Sequence, residues 1–195
     1  MRIIAGKFKG RNLKKFEIPS TRPTSDLIRG AVFNAIGDGI LNANFLDLFA
    51  GSGAMGIEAI SRGAKKSYFC DQNKNCITLI KDNLSLLNVD NFELFCGDCL
   101  KALIKFKNNN VSFDVIYIDP PYMSSYAEKS LKFIVENELL NDNGLLFWEH
   151  DISKLGIIEK TNIQTTKRYG SKYVTKLNKE SLNALAECIN MQNIK

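Results

Sequence analysis

One histidine, one tryptophan, four prolines and five cysteines are all that 195 residues contain of these types. The lone His150 rules out a histidine-rich metal centre and makes any hydrolytic triad depend on one residue. An odd cysteine count in a chain without an export signal argues against a disulfide framework and for reduced thiols. Long apolar runs are missing as well: the longest stretch without a charge goes from Leu48 to Ile57, well short of the ~20 residues that a spanning helix needs. The first residues carry Arg2, Lys7, Lys9 and Arg11 and leave no apolar core for a secretory signal. The expectation is a cytoplasmic protein with no membrane association.

What the chain does contain is the material for one core, with 45% apolar and 24% charged residues, enough for a single domain and a small appendage. Its net charge of +5 hides a polarity. Residues 1–29 sum to +6, residues 30–153 to −6 and residues 154–195 to +5. Between Arg2 and Lys15 stand six basic residues and no acid, interleaved with Ile3, Phe8 and Leu13. Such a mixture suits a surface that meets phosphates, with a solvated hairpin as the plain alternative. Residues 1–23 are read as a basic hairpin extension, 24–180 as the main domain and 181–195 as a tail.

Within the extension, Ile3 and Ile4, then Lys7 to Gly10, then Arg11 to Phe16 suggest two short strands about a glycine-bearing turn. Thr24, Ser25 and Asp26 offer cap chemistry for a helix over 25–36. From residue 44 the pattern is regular. Apolar runs at 45–50, 67–70, 92–96, 113–118 and 145–148 alternate with helical stretches at 55–62, 75–87, 100–106 and 126–140. Two more strands are expected after Gly156, with a reversal at Gly170 and Ser171, and a short helix or frayed tail at 182–191. Alternation of this kind predicts an α/β fold, a doubly covered, mostly parallel sheet of seven strands.

The strongest local signal is Asp47-Leu48-Phe49-Ala50-Gly51-Ser52-Gly53-Ala54-Met55-Gly56, where strand gives way to helix. Gly51, Gly53 and Gly56 spell G-x-G-x-x-G, which lets backbone approach a cofactor, and Asp71 follows 20 positions after Gly51, placed to accept ribose hydroxyls. This pair specifies a nucleoside-bearing cofactor without separating a nicotinamide dinucleotide from S-adenosylmethionine. The separation comes from Asp119-Pro120-Pro121-Tyr122 at the end of the fourth strand. The Asp119 carboxylate and the Pro120 carbonyl can accept both N–H bonds of an exocyclic amine while Tyr122 stacks on the ring that bears it. Holding both hydrogens out of the ring plane aims the nitrogen lone pair at a sulfonium methyl. Asp119, Pro120, Pro121 and Tyr122 are therefore the candidate catalytic residues. A diproline that merely ends a strand is the plainer alternative, set aside because the motif falls at the carboxyl edge of a parallel sheet, where ligands of such folds bind.

At these residues the sequence resembles Rossmann-type S-adenosylmethionine-dependent amino-methyltransferases, and more narrowly the RsmD family, which modifies the N2 amine of a guanine in 16S ribosomal RNA. The resemblance is carried by RIIAGKFKGR (2–11), TRPTSDLIR (21–29), DLFAGSGAMGIEAISRG (47–63), DPPY (119–122) and KRYG (167–170). It implies a class I fold, Asp71 on the cofactor ribose, Asp98 against the adenine, and Arg22 and Thr24 on the cofactor side of the cleft. The candidate cofactor contacts are thus Arg22, Thr24, Asp47, Phe49, Gly51, Ser52, Gly53, Asp71, Gln72, Asp98, Cys99 and Asp119. Arg2, Lys7, Lys9 and Arg11 are the candidate RNA contacts. Gly30 stands where the family commonly has an acid, and the chain after Leu177 follows no family pattern. The implied partner is 16S ribosomal RNA within a small-subunit particle, met by a monomer without a metal.

Other readings explain less. Cys96 and Cys99 form a C-x-x-C with Cys70 nearby in the sheet, but no second such pair or neighbouring histidine supports a metal. A DNA adenine-N6 methyltransferase would share DPPY, yet fewer than 30 residues precede the first helix, too few for a duplex-reading domain. A nicotinamide-dependent oxidoreductase lacks a substrate domain and a hydride-transfer residue. A non-catalytic RNA-binding module would not need both Asp71 and DPPY. His150 and Glu149 end the fifth strand and are read as satisfied polar residues, with Trp148 in the core.

Overall fold

The computed structural model describes residues 1–15, 26–121, 125–161 and 165–192. Helix α1 (Asp26–Ile36) leads into the alternating series β1 (Asn44–Asp47), α2 (Ala54–Ser61), β2 (Lys66–Asp71), α3 (Lys74–Leu86), β3 (Phe92–Cys96), α4 (Cys99–Asn108), β4 (Phe113–Ile118), α5 (Tyr126–Glu136) and β5 (Leu140–His150). A short α6 (Leu155–Glu159), the strands β6 (Thr166–Tyr169) and β7 (Lys172–Leu177), and α7 (Lys179–Gln192) complete it. The seven strands form one sheet in the order β3-β2-β1-β4-β5-β7-β6. Pairings among β1 to β5 are parallel, while β7 runs antiparallel to both β5 and β6.

The side-chain alternation of the strands decides which helix goes where. On one face Leu46, Tyr68, Ile116, Leu146 and Trp148 pack against Leu103 and Phe106 of α4, Leu131 and Ile134 of α5, and Leu182, Leu185 and Ile189 of α7. On the other face Phe45, Val115, Tyr117 and Phe147 meet Ile28, Val32 and Phe33 of α1 and Met55 and Ala59 of α2. Farther along that face, Phe69 packs with Ile80 and Leu84 of α3 and with Ile3, Phe8 and Leu13 from the start of the chain. The expected tail is thus, over Lys179–Gln192, a helix that buries an apolar stripe. Because α2 crosses from β1 outward and α4 returns to β4 on the opposite face, the order reverses between β1 and β4. In sheets of this kind a ligand crevice opens at the carboxyl ends of the strands at that point.

The N-terminal segment folds back on itself without forming regular strands. It has one isolated antiparallel bridge, Arg2 with Asn12, and Phe16 lies outside the described residues. Ile3 N donates to the Arg11 carbonyl at 3.0 Å and Leu13 N to the Met1 carbonyl at 2.8 Å, and others of its backbone donors find side chains and carbonyls of the core. Ile4 N and Ala5 N donate to the two oxygens of buried Glu58 at 2.8 and 2.9 Å, Lys7 N to the Ser61 carbonyl at 2.7 Å, and Phe8 N to Ser61 Oγ at 3.0 Å. Gly6 permits this seating: its φ is +81° and a Cβ there would lie 1.8 Å from the Ser61 carbonyl oxygen. Arg29, expected only as part of a motif, is buried and ties α1 to the same segment, donating to the Arg2 carbonyl at 2.7 Å and lying 3.5 Å from Glu58.

Two boundaries also shift. Helix α5 stops at Glu136 and Glu138 takes a positive φ of 51°, because Leu140 pairs with Phe113 at the start of β4 and so begins β5. Ile157 and Ile158, expected in a strand, lie in α6, with Ile158 buried against the α7 side of the core.

Candidate functional site

A cavity of about 480 Å³ opens at the carboxyl ends of β1, β2, β3 and β4, at the reversal point. That volume is in the range of small-molecule sites. Leu48 and Phe49 come from the end of β1, Asp71, Gln72 and Asn73 from the end of β2, Gly97, Asp98 and Cys99 from the end of β3, and Asp119, Pro120 and Pro121 from the end of β4. Tyr126 of α5 and Lys172 of β7 close the rim. Thus Phe49, Gly51, Asp71, Gln72, Asp98, Cys99, Asp119, Pro120 and Pro121, scattered over 73 positions of sequence from Phe49 to Pro121, share one wall. Arg22, Thr24 and Tyr122 lie outside the described residues.

The glycine turn is shaped by its neighbours. Asp71 Oδ2 accepts the N–H of Gly51 at 2.8 Å and Asp71 Oδ1 accepts the N–H of Asn73 at 2.7 Å. Each oxygen retains a lone pair for a ligand hydroxyl. Close packing of α2 on the sheet needs Gly56, where a Cβ would lie 2.2 Å from the Phe69 ring. Asp98 caps α4, its Oδ1 accepting from Leu100 N at 2.9 Å and Lys101 N at 3.2 Å. Phe49 and Tyr126 stand with ring centroids 6.5 Å apart and supply an apolar wall. A polyhydroxylated sugar on Asp71, a heterocycle between Phe49 and Asp98, and a polar tail toward the glycine turn match this donor and acceptor set, so the residues present suit S-adenosylmethionine.

Asp47, Ser52 and Gly53 are not among the residues that line the cavity. Asp47 is buried behind the turn, accepts from Gly56 N at 3.1 Å, and does not line the cavity. Burial pushes its carboxyl up to about 7, with Asp71 and Asp119 adding repulsion. Ser52 donates to the Met1 sulfur at 3.6 Å, and Gly53 precedes α2 with a φ of 77°. Lys7 and Arg11 both stack over the Phe8 ring, at 5.2 and 5.8 Å from its centroid, and Arg2, Lys7, Lys9 and Arg11 are all exposed.

Around Asp119 a polar cluster is assembled from three strands. Lys172 Nζ lies 3.5 Å from Asp119 Oδ2 and pairs with Glu149, which also accepts the Tyr117 hydroxyl. Burial raises the Asp119 carboxyl from its ordinary value and Lys172 opposes that rise. Sequence reasoning missed Lys172 and Tyr126. No local signal marked Lys172, since only the antiparallel return of β7 beside β5 brings it to Asp119 after β4. His150 is satisfied as expected: its ring nitrogens meet the Asp151 carbonyl and Thr175 Oγ1, both at 2.8 Å. The cysteines are free thiols, with Cys96 exposed and Cys99 buried. Burial raises Cys70 and Cys99 and pushes Cys76 up to about 12. Among the described residues no group of three potential ligands could hold a metal ion, and no helix is long and apolar enough to cross a membrane.

The family model described as Conserved hypothetical protein 95 matches residues 1–178. Over 158 residues the chain is 35% identical to ribosomal RNA small subunit methyltransferase D of Buchnera aphidicola subsp. Acyrthosiphon pisum, covering 81% of this chain and 82% of that one. Among solved structures, a methylase from Haemophilus influenzae superposes with a TM-score of 0.73 at 31% identity, over 91% of this chain and 97% of that one. A likeness of fold extends to SMU.776, solved in complex with SAH, with a TM-score of 0.58 at 18% identity over 77% of this chain and 48% of that one.

Proposed function

We propose, proceeding from the fact that this chain belongs to the Conserved hypothetical protein 95 family, the RsmD family of methyltransferases, that it methylates the exocyclic N2 amine of a guanine in small-subunit ribosomal RNA, with S-adenosylmethionine as donor. One observation carries the reading: Asp71, the ribose acid, and Asp119-Pro120-Pro121, the amine cradle, face a single cavity at the reversal point of the sheet. An oxidoreductase has no use for the second group, and a binding module has no use for the pair.

When bound, S-adenosylmethionine supplies a methyl on a positively charged sulfur, and as the new N–C bond forms the S–C electron pair stays with sulfur. The chain's residues prepare the acceptor. An amine conjugated to guanine is a weak nucleophile because its lone pair is delocalised into the ring. Asp119 and the Pro120 carbonyl, accepting its two N–H bonds, draw the hydrogens out of plane and localise that pair. Tyr122 is assigned the stacking face. The methylated nitrogen carries one proton too many and releases it to water. Asp71 anchors the donor through ribose hydroxyls, and Asp98 and Phe49 hold its base.

The exposed Arg2, Lys7, Lys9 and Arg11 are assigned to RNA phosphates, which position the substrate without reading its sequence. The target guanine must be turned out of any stack, at a cost of a few kcal/mol unless it already lies in a loop, so a loop guanine in a small-subunit particle is the assigned substrate. The protein is assigned to the cytoplasm, as a monomer acting without metal. The test is to incubate it with labelled S-adenosylmethionine and separated ribosomal subunits, free RNA or DNA, then analyse nucleosides. N2-methylguanine in small-subunit RNA is expected; N6-methyladenine in DNA, or label on a ring carbon, would overturn the assignment.

A further inference from the structure

Among the described residues that line the cavity, Lys172 is the only cation. It stands at the start of β7, its side chain only 16% exposed, and it contacts two carboxylates at once: Asp119 Oδ2 at 3.5 Å and the buried Glu149. Glu149, on β5, also accepts the hydroxyl of Tyr117. Tyr117, on β4, stands two positions before Asp119. The lysine is thus braced from β5 against the acid that ends β4.

The charges around Asp119 explain why such a brace matters. Asp47, on β1, is close enough to Asp119 for the latter's charge to raise its carboxyl, and Glu149, on β5, is tied to Asp119 through their shared partner Lys172. Asp71, on β2, acts on Asp47 in the same sense. From α5 the facing ring is Tyr126, and from β4 the neutral Tyr117. Burial and like charge both favour protonation of a carboxyl, whereas an adjacent ammonium favours its ionised form. A protonated Asp119 would keep an acceptor oxygen but lose the negative charge that makes it a strong one.

We propose that Lys172 is a positioning residue for methyl transfer: bridging Glu149 and Asp119, it keeps the Asp119 carboxylate ionised and engages Oδ2, so that Oδ1 receives the amine. This rests on the methyltransferase reading above. Lysine is also suited to the task as a compact charge on a long stem, able to reach two acids on different strands.

The experiment compares wild type with Lys172→Met, Lys172→Arg and Glu149→Gln. Initial rates of methyl transfer to RNA are followed from pH 5 to 9, and the Asp119 carboxyl is titrated by carbon-13 NMR, its signal identified by loss in Asp119→Asn. Lys172→Met should move the acid limb of kcat and the NMR midpoint upward by about one pH unit or more. Glu149→Gln, which removes a like charge, should move both downward, and Lys172→Arg should restore the wild-type midpoint. KM for RNA and Kd for S-adenosylmethionine should stay within about three-fold, since the change lies in the chemical step. A purely structural role would not produce opposite shifts from the two changes. An NMR midpoint in Lys172→Met equal to that of wild type overturns the proposal. Should that variant not fold, Glu149→Gln decides alone, and an unmoved or raised midpoint counts against. If wild type methylates no RNA, the methyltransferase reading falls by itself, while the NMR arm still decides whether Lys172 holds Asp119 ionised.

Discussion

Asp71 and Gly51 are joined by a 2.8 Å hydrogen bond from the glycine N–H to Oδ2, so the acid at the end of β2 holds the turn that follows β1. A residue that the motif assigned to ligand binding alone also shapes the glycine loop beside it. Loop and acid form a unit before any cofactor arrives, which reduces the ordering that binding must bring about.

Asp71→Ala should therefore act twice. Losing charge-assisted hydrogen bonds costs about 1.5–3 kcal/mol, so calorimetry should show S-adenosylmethionine binding weakened roughly ten-fold or more. Thermal melts without ligand should also shift downward, because the Gly51 and Asn73 donors lose their acceptor. Equal affinity for wild type and variant would remove Asp71 from the site.

At Asp119 the effect should fall on chemistry. Asp119→Ala should lower kcat roughly a hundred-fold while the affinity for S-adenosylmethionine changes little, as expected for a group acting mainly in the transition state. Near wild-type turnover at saturating substrates would falsify the assignment.

The N-terminal segment should bind RNA through charge. Replacing Lys7, Lys9 and Arg11 by Ala removes three phosphate partners, and the slope of log affinity against log salt should flatten by about 2, at ~0.7 per contact on single strands. Binding of S-adenosylmethionine should be unaffected. A slope that does not change returns these residues to a solvated face.

Seating of that segment depends on Gly6. Gly6→Ala forces a Cβ toward the Ser61 carbonyl at a φ of +81°, and should cost about 2 kcal/mol or more in denaturant unfolding. RNA affinity should fall with it while S-adenosylmethionine binding persists. A variant as stable as wild type would show that the segment is not seated on α2.

Asp47 makes a prediction about pH. Its carboxyl, pushed up to about 7 by burial from an ordinary 3.8, binds a proton in the folded chain that the unfolded chain has lost between those values. Stability should accordingly fall as pH rises from about 4 to about 7, by up to ~4 kcal/mol from this group. Asp47→Asn, which keeps an acceptor for Gly56 N, should remove that part of the decline in urea titrations. An identical pH dependence in the variant would mean that Asp47 titrates normally.

Legibility in the sequence differed from residue to residue. The alternation of apolar runs and helical stretches from 44 to 150 determined the α/β class, because period-two and period-3.6 patterns answer to different backbones. The glycine turn, Asp71 and Asp119-Pro120-Pro121 were visible for the same reason: each must sit at a strand end, and strand ends are local events. The failures were of reach. Glu58 and Arg29 lie in the stretches 47–63 and 21–29 with no role assigned from sequence, and they pin the N-terminal segment, because buried charges need partners that only a folded neighbour supplies. Asp47 turned behind its loop since Gly56 N competes for its carboxylate. Lys172 joined the cavity because β7 returns antiparallel beside β5, and nothing within a few residues of position 172 encodes that pairing. Sequence alone determined the class of fold and the chemistry offered at the strand ends; tertiary structure decided which charges share one low-dielectric space, since Coulomb interactions depend on distance in three dimensions and not along the chain.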